Sequence, residues 1–105
     1  MIIRIWHGWT TFDNAGNYEK LLREEIFVGI LNQHIHGFKS IQLLRREDGH
    51  EIEFITIMQF DSLAAVRKFA GNDYEIAVVP EKARKILSHF DERSQHYEIV
   101  EELIV

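Results

Sequence analysis

No cysteine occurs in the 105 residues, and that single absence removes disulfides, thiolate metal sites and cysteine nucleophiles together. It fits a reducing compartment and leaves stability to packing. Proline occurs once, at Pro80, and no Ser/Gly-rich stretch, repeat or low-complexity segment interrupts the chain, so one domain spanning residues 1–105 is expected. The six glycines form no Gly-x-Gly-x-x-Gly, Walker or Gly-x-Ser-x-Gly element, which leaves nucleotide binding and serine hydrolysis without support. Charges break every apolar run well short of a bilayer's width, and Met1-Ile2-Ile3-Arg4 lacks the basic stretch and apolar core of a secretory leader. A cytoplasmic protein with no membrane partner is expected. Basic runs are equally short: nothing exceeds Arg45-Arg46, and a formal charge of -5 repels a phosphate backbone, so no nucleic-acid partner is expected.

The chain does hold 46% hydrophobic and 28% charged residues, enough Ile, Leu, Val and Phe to bury a core. Residues 2 to 10 are β-branched and aromatic, with Ile3, Ile5, His7 and Trp9 on one face of a strand and Ile2, Arg4, Trp6 and Gly8 on the other. Asp13 or Asn14 can cap a helix whose Tyr18, Leu22, Ile26, Gly29 and Ile30 recur at three- and four-residue spacing. After His34-Ile35-His36-Gly37, strands over residues 38 to 47 and 50 to 60 flank a tight turn at Asp48-Gly49. Asp61-Ser62 caps a short helix that points Leu63, Val66, Phe69 and Ala70 inward and ends at Gly71. A further helix begins at Pro80 and aligns Ala83, Ile86, Leu87 and Phe90, and residues 94 to 101 form a last strand.

The order strand, helix, strand, strand, helix, strand predicts an α+β, ferredoxin-like βαββαβ fold: a four-stranded antiparallel sheet with helices on one face. The third strand is apolar on both sides, with Phe54, Met58 and Phe60 on one and Ile55 and Ile57 on the other. Helices cover only one face, so a second copy stacked on the other is expected, giving a homodimer.

Several stretches together resemble the antibiotic biosynthesis monooxygenase group of the dimeric α+β barrel superfamily: Arg4 to Thr10, Glu53-Phe54 through Phe60-Asp61-Ser62-Leu63 with Ala65-Val66, Phe69 to Glu75, Ala77 to Pro80, and His96-Tyr97-Glu98-Ile99. The resemblance covers nearly the whole chain. It implies a homodimer with a pocket in each subunit between helices and sheet. Members of the group oxidise polycyclic phenols with molecular oxygen and no metal or flavin, and relatives degrade haem. The positions of the haem relatives' ligand histidine and strand-end tryptophan are Val78 and Phe60 here, so the haem determinants are missing.

Oxygenation without a cofactor needs a dry aromatic pocket, a proton acceptor and donors for the substrate anion. Trp6, Phe54, Met58, Phe60, Tyr74 and Phe90 are the candidate substrate-binding residues, with Arg84 or Arg4 near the anion and His7, His89 or His96 as the catalytic base. For any single aromatic, a place in the core is the commoner role. His7 is a neutral base if buried in the pocket and a hydrogen-bonded structural residue if it faces the dimer side, and Arg4 is expected to pair with an acidic residue of a neighbouring strand. His34 and His36 lack a third ligand, so no metal and no cofactor is expected. The expected function is cofactor-independent oxidation of a small aromatic or quinol-like molecule, with a non-catalytic dimer that binds a small hydrophobic ligand as the alternative.

Overall fold

The computed structural model describes residues 1–105. Strand β1 (Ile2–Thr11) runs into helix α1 (Phe12–Leu21), which passes through a π-helical turn at Leu22–Ile26 into α2 (Phe27–Asn32). The hairpin β2 (Phe38–Asp48) and β3 (Glu51–Phe60) follows, then α3 (Leu63–Ala70), α4 (Glu81–Ile86), β4 (His89–Phe90) and β5 (Gln95–Glu98). The sheet is antiparallel in the order β2-β3-β1, with β4 and β5 both on the free edge of β1, and the helices lie on one face. This is the ferredoxin-like α+β fold. Within one chain the sheet stays open, and no helix is long and apolar enough to cross a membrane.

The fourth strand position departs from expectation in being divided. β4 pairs with Gly8 and Trp9, and β5 pairs with Ile2 to Ile5, so four residues, Asp91–Ser94, stand opposite only Trp6 and His7. The detour has its own partners. Ala77 N–H donates to the Glu92 carbonyl at 2.9 Å, Ser94 N–H donates to the Glu75 carbonyl at 2.7 Å, and Ile76 bridges Arg93. An outward bulge of this kind re-aims side chains and, here, draws residues 75–77 against the sheet edge.

Helix limits also shift, each for a local reason. Thr11, not Asp13 or Asn14, caps α1: its Oγ1 accepts from the Asn14 N–H at 3.2 Å. Ser62 caps α3 as read, accepting from the Ala65 N–H at 3.2 Å. The last helix begins after Pro80 and stops at Ile86, so Phe90 is a strand residue. Ser88 N–H already donates to the Trp9 carbonyl at 2.7 Å, and the β1 edge recruits residues 88 to 90 away from the helix.

Alternation along β1 and β3 sorts the two faces. Ile2, Arg4, Gly8, Thr10, Ile52, Phe54, Met58 and Phe60 are buried under the helices. The core on that side forms two clusters. One joins Tyr18, Leu22, Ile52, Phe54, Ala83 and Leu87, and the other joins Ile2, Met58, Phe60, Ala65 and Val66. On the opposite face Ile3, Ile5, Ile55 and Ile57 are half-buried and Leu44 and Tyr97 exposed.

Gly37 locks the entrance to β2. Its φ is +91°, its carbonyl accepts from the Asp61 N–H at 2.8 Å, and a Cβ there would lie 2.4 Å from Asp61 Oδ1 and 2.8 Å from the Ala65 Cβ. Gly37→Ala is expected to destabilise by roughly 2–4 kcal/mol through backbone strain and overpacking. Gly16→Ala, inside α1 with nothing near its Cβ position, is expected to stabilise by about 0.5–1 kcal/mol. Urea denaturation of the two variants checks both signs.

Candidate functional site between the helices and the sheet

The two core clusters do not meet. Between them lies a cavity of about 60 Å³, walled by Trp6, Tyr18, Leu22 and Ala83 from the first side and Met58, Ile41, Ile30 and Phe69 from the second. Residues Val78 to Pro80 close one flank. A wider recess of about 440 Å³ shares Ile26, Ile30, Phe69, Val78 and Pro80 with the cavity and carries it to the surface beside Gly29, Gln33, Glu81 and the Glu25–Lys82 pair. The inner space is small beside the roughly 300–1,000 Å³ of common ligand pockets, so a ligand larger than one small ring extends into the recess.

The helix reaches the cavity with more side chains than a regular helix allows. The π turn at Leu22–Ile26 accommodates an extra residue, and Tyr18, Leu22, Ile26, Phe27 and Ile30 all line the wall. From β1 comes Trp6, whose Nε1–H donates to the Asp91 carbonyl at 2.7 Å. Gly8 leaves room for its indole: a Cβ there would lie 2.8 Å from the ring. Thus the 91–94 detour and Trp6 fix one another.

Arg4 is the charged member of this wall and is only 3% exposed. No carboxylate pairs with it, contrary to the expected ion pair. Its guanidinium donates to the Tyr74 carbonyl, to the Ile76 carbonyl at 3.1 Å and to His96 Nε2 at 3.0 Å, and lies over the Phe69 ring at 5.5 Å. Burial pushes its pKa down to about 10, which still leaves the group charged at neutral pH. An unpaired buried cation costs several kcal/mol, offset in part by these hydrogen bonds and the ring. Ser94, also 3% exposed and on the same wall, has no hydrogen-bond partner for its Oγ.

The structure scatters the other sequence-derived candidates. Trp6 and Met58 line the cavity. Phe54 packs behind on Tyr18, Phe60 between Phe38 and Phe69, and Phe90 on Trp6. Tyr74 sits at the sheet edge against His96 and Arg67, and Arg84 lies over Phe90 outside the cavity. His7 and His89 occupy the opposite sheet face, where His7 Nδ1 meets Glu53 Oε2 and His89 Nε2 meets Glu51 Oε1, each at 2.9 Å, and Trp9 stacks on His89 at 4.5 Å. Glu53 also accepts from Arg46 Nε at 2.5 Å. His96 touches Arg4 but not the cavity itself. No group of three or more His, Asp or Glu side chains that could hold a metal ion is gathered. Thr56, Phe27 and Ser94 went unread in the sequence. Strand parity with Phe54 and Met58 marks Thr56, whereas nothing in the spacing marks the π turn or the detour that place the other two.

Two acid-side stability losses follow. Burial, then the Arg4 charge, lowers the His96 pKa, against a weaker opposing effect of Glu75. The native state therefore resists the proton that the unfolded chain accepts, and stability falls as pH drops from about 6.5. Hydrogen bonds from His7 and then Arg46 lower the Glu53 pKa, so that contribution is complete above about 4.5 and lost as pH falls below it. Unfolding free energy measured against pH is expected to lose the first slope in His96→Gln and the second in Glu53→Gln.

No family model and no curated protein sequence matches the chain. A comparison of structures finds a Bacillus cereus crystal structure, named as a candidate antibiotic biosynthesis monooxygenase, with a TM-score of 0.57 and 12% identity over 99% of this chain and 98% of that one. Nearly end to end, then, this chain has the fold of that protein, the same ferredoxin-like fold that its own residues predict.

Proposed function

We propose that the chain binds a small aromatic, phenol- or quinol-like molecule in the cavity and oxidises it with molecular oxygen, using neither metal nor flavin. The observation that carries this is Arg4: a charged guanidinium with no counter-ion on the wall of a mostly apolar cavity. A ring that loses a proton becomes an electron-rich anion able to reduce oxygen, and a fixed cation in a dry site stabilises that anion far better than water does. In the overall reaction a CH₂ attached to the ring becomes C=O, taking one oxygen atom. The other leaves as water with the two hydrogens, so the substrate supplies all the electrons.

Trp6 and Met58 contact the ring in this reading, backed by Phe54, Phe60 and Phe90. The ring's proton leaves to water through the recess; His96, whose Nε2 accepts from Arg4, positions that guanidinium, while His7 and His89 lie across the sheet and take no part. The likeness to the Bacillus cereus protein supports the fold on which the proposal stands, and its name supports the reaction class only by analogy. A second reading, a non-catalytic binder of a small hydrophobic ligand, is favoured by one observation: no histidine lines the cavity.

Oxygen uptake by chelator-treated protein, offered anthrone-like, quinol and flavonoid phenols, separates the two. Saturable uptake that survives His7→Ala and falls about tenfold in His96→Ala, through a displaced Arg4, is expected. No uptake across the panel leaves the binder.

A second copy is proposed to cover the bare sheet face, because Ile3, Ile5, Leu44, Ile55, Ile57 and Tyr97 form an apolar stripe no helix reaches. Sedimentation is expected to give a dimer for the parent chain and a folded monomer for Ile57→Lys. A parent chain that sediments as a monomer overturns this.

A further inference from the structure

Two residues that line the cavity have hydrogen-bonding capacity left over, and neither faces a carboxylate. Of the five N–H bonds of a guanidinium, those of Arg4 engaged by Tyr74, Ile76 and His96 number three, which leaves two free. Ser94 adds a hydroxyl that is 3% exposed with no partner at all. Both groups belong to the same wall, and no Asp or Glu is among the lining residues. Leaving a buried hydroxyl unsatisfied costs stability, and leaving a buried cation unpaired costs more. One negatively charged ligand group would offset both.

We infer that Arg4 and Ser94 form an oxoanion subsite that holds the ionised carboxylate of a small aromatic acid, with its ring directed toward Trp6 and Met58. A carboxylate fits better than a phenolate because its two oxygens match the two free guanidinium donors and still accept from a hydroxyl, whereas a phenolate offers one oxygen. The inner cavity, at about 60 Å³, suits a single small ring with its carboxylate, and the recess takes any further substituent. The inference rests on the cavity being the ligand site, narrows the ligand class to acids, and gives the free donors of Arg4 to a carboxylate in place of a ring anion. It does not require the ligand to be oxidised.

Trp6 serves as the reporter. In Trp9→Phe, which removes the only other tryptophan from the opposite sheet face, Trp6 fluorescence is titrated with benzoate and with its neutral isostere benzamide. Benzoate is expected to bind at least about tenfold more tightly. That preference is expected to vanish in Arg4→Gln and to shrink in Ser94→Ala, and Ser94→Ala is expected to keep or raise the melting temperature of the free protein. A purely structural serine would not give weaker acid binding together with undiminished stability. Equal binding of the two compounds, or a preference that survives in folded Arg4→Gln, overturns the subsite while leaving the cavity reading intact. Should Arg4→Gln fail to fold, the parent ratio and Ser94→Ala decide. Binding of neither compound overturns subsite and cavity reading together, and benzoate preference without oxygen uptake from any substrate supports the subsite and removes only the oxidation.

Discussion

The buried guanidinium of Arg4 is the constraint around which the site is organised. It sits on the second strand residue to face the helices, in the low-dielectric layer between sheet and helix, and it is held by main-chain carbonyls of Tyr74 and Ile76 rather than by a carboxylate. Those carbonyls belong to a segment with no helix or strand between α3 and α4, so the arginine adds a tie from this loop to the sheet interior. Neutral partners satisfy its hydrogen-bonding capacity in part and its charge not at all. This uncompensated charge is what the proposed anionic ligand would neutralise.

The 91–94 detour completes the same arrangement from the other side. After the Asp91 N–H, which still donates to the His7 carbonyl at 3.0 Å, it leaves the β1 ladder and gains hydrogen bonds to Glu75 and Ala77. Residues 74–77 are thereby held between Arg4 and the detour, and the chain that continues into Val78–Pro80 is placed against the cavity. Opposite, the π turn delivers both Ile26 and Phe27 to the same space. Three local irregularities, the detour, the π turn and the small Gly8, thus keep two halves of one core apart where regular elements would have closed it. Irregular backbone is maintained at a cost, and its convergence on one cavity is the geometric argument for function there.

The two faces of the sheet divide labour. Toward the helices, Arg4 and Thr56 line the cavity, while Thr10 and Arg45 find partners away from it. On the other face His7, Glu53 and Arg46 form a hydrogen-bonded chain beside the stacked Trp9 and His89, next to the aliphatic stripe of Ile3, Ile5, Ile55 and Ile57. The pairing of His7 with Glu53 gives that histidine a structural partner and separates it from the cavity by the thickness of the sheet.

Period-two alternation in residues 2 to 10 and 50 to 60, the hairpin signal at Asp48-Gly49 and the Ser62 cap determine the sheet, the hairpin and the helix-covered face by local physics, although the turn falls one residue later, at Gly49-His50, because Asp48 still pairs with Glu51. The resemblance in sequence pointed to the same fold that the Bacillus cereus structure displays. The sequence also determined that Trp6 and Arg4 share a face, though not that this face holds the cavity. The tertiary structure alone decided that His7 and His89 lie across the sheet, that Phe90 leaves the last helix for the β1 edge, and that Arg4 has no acidic partner while Ser94 joins it. Each of these turns on which distant backbone satisfies a free N–H or C=O, and spacing along one chain carries no record of contacts made seventy or more residues away.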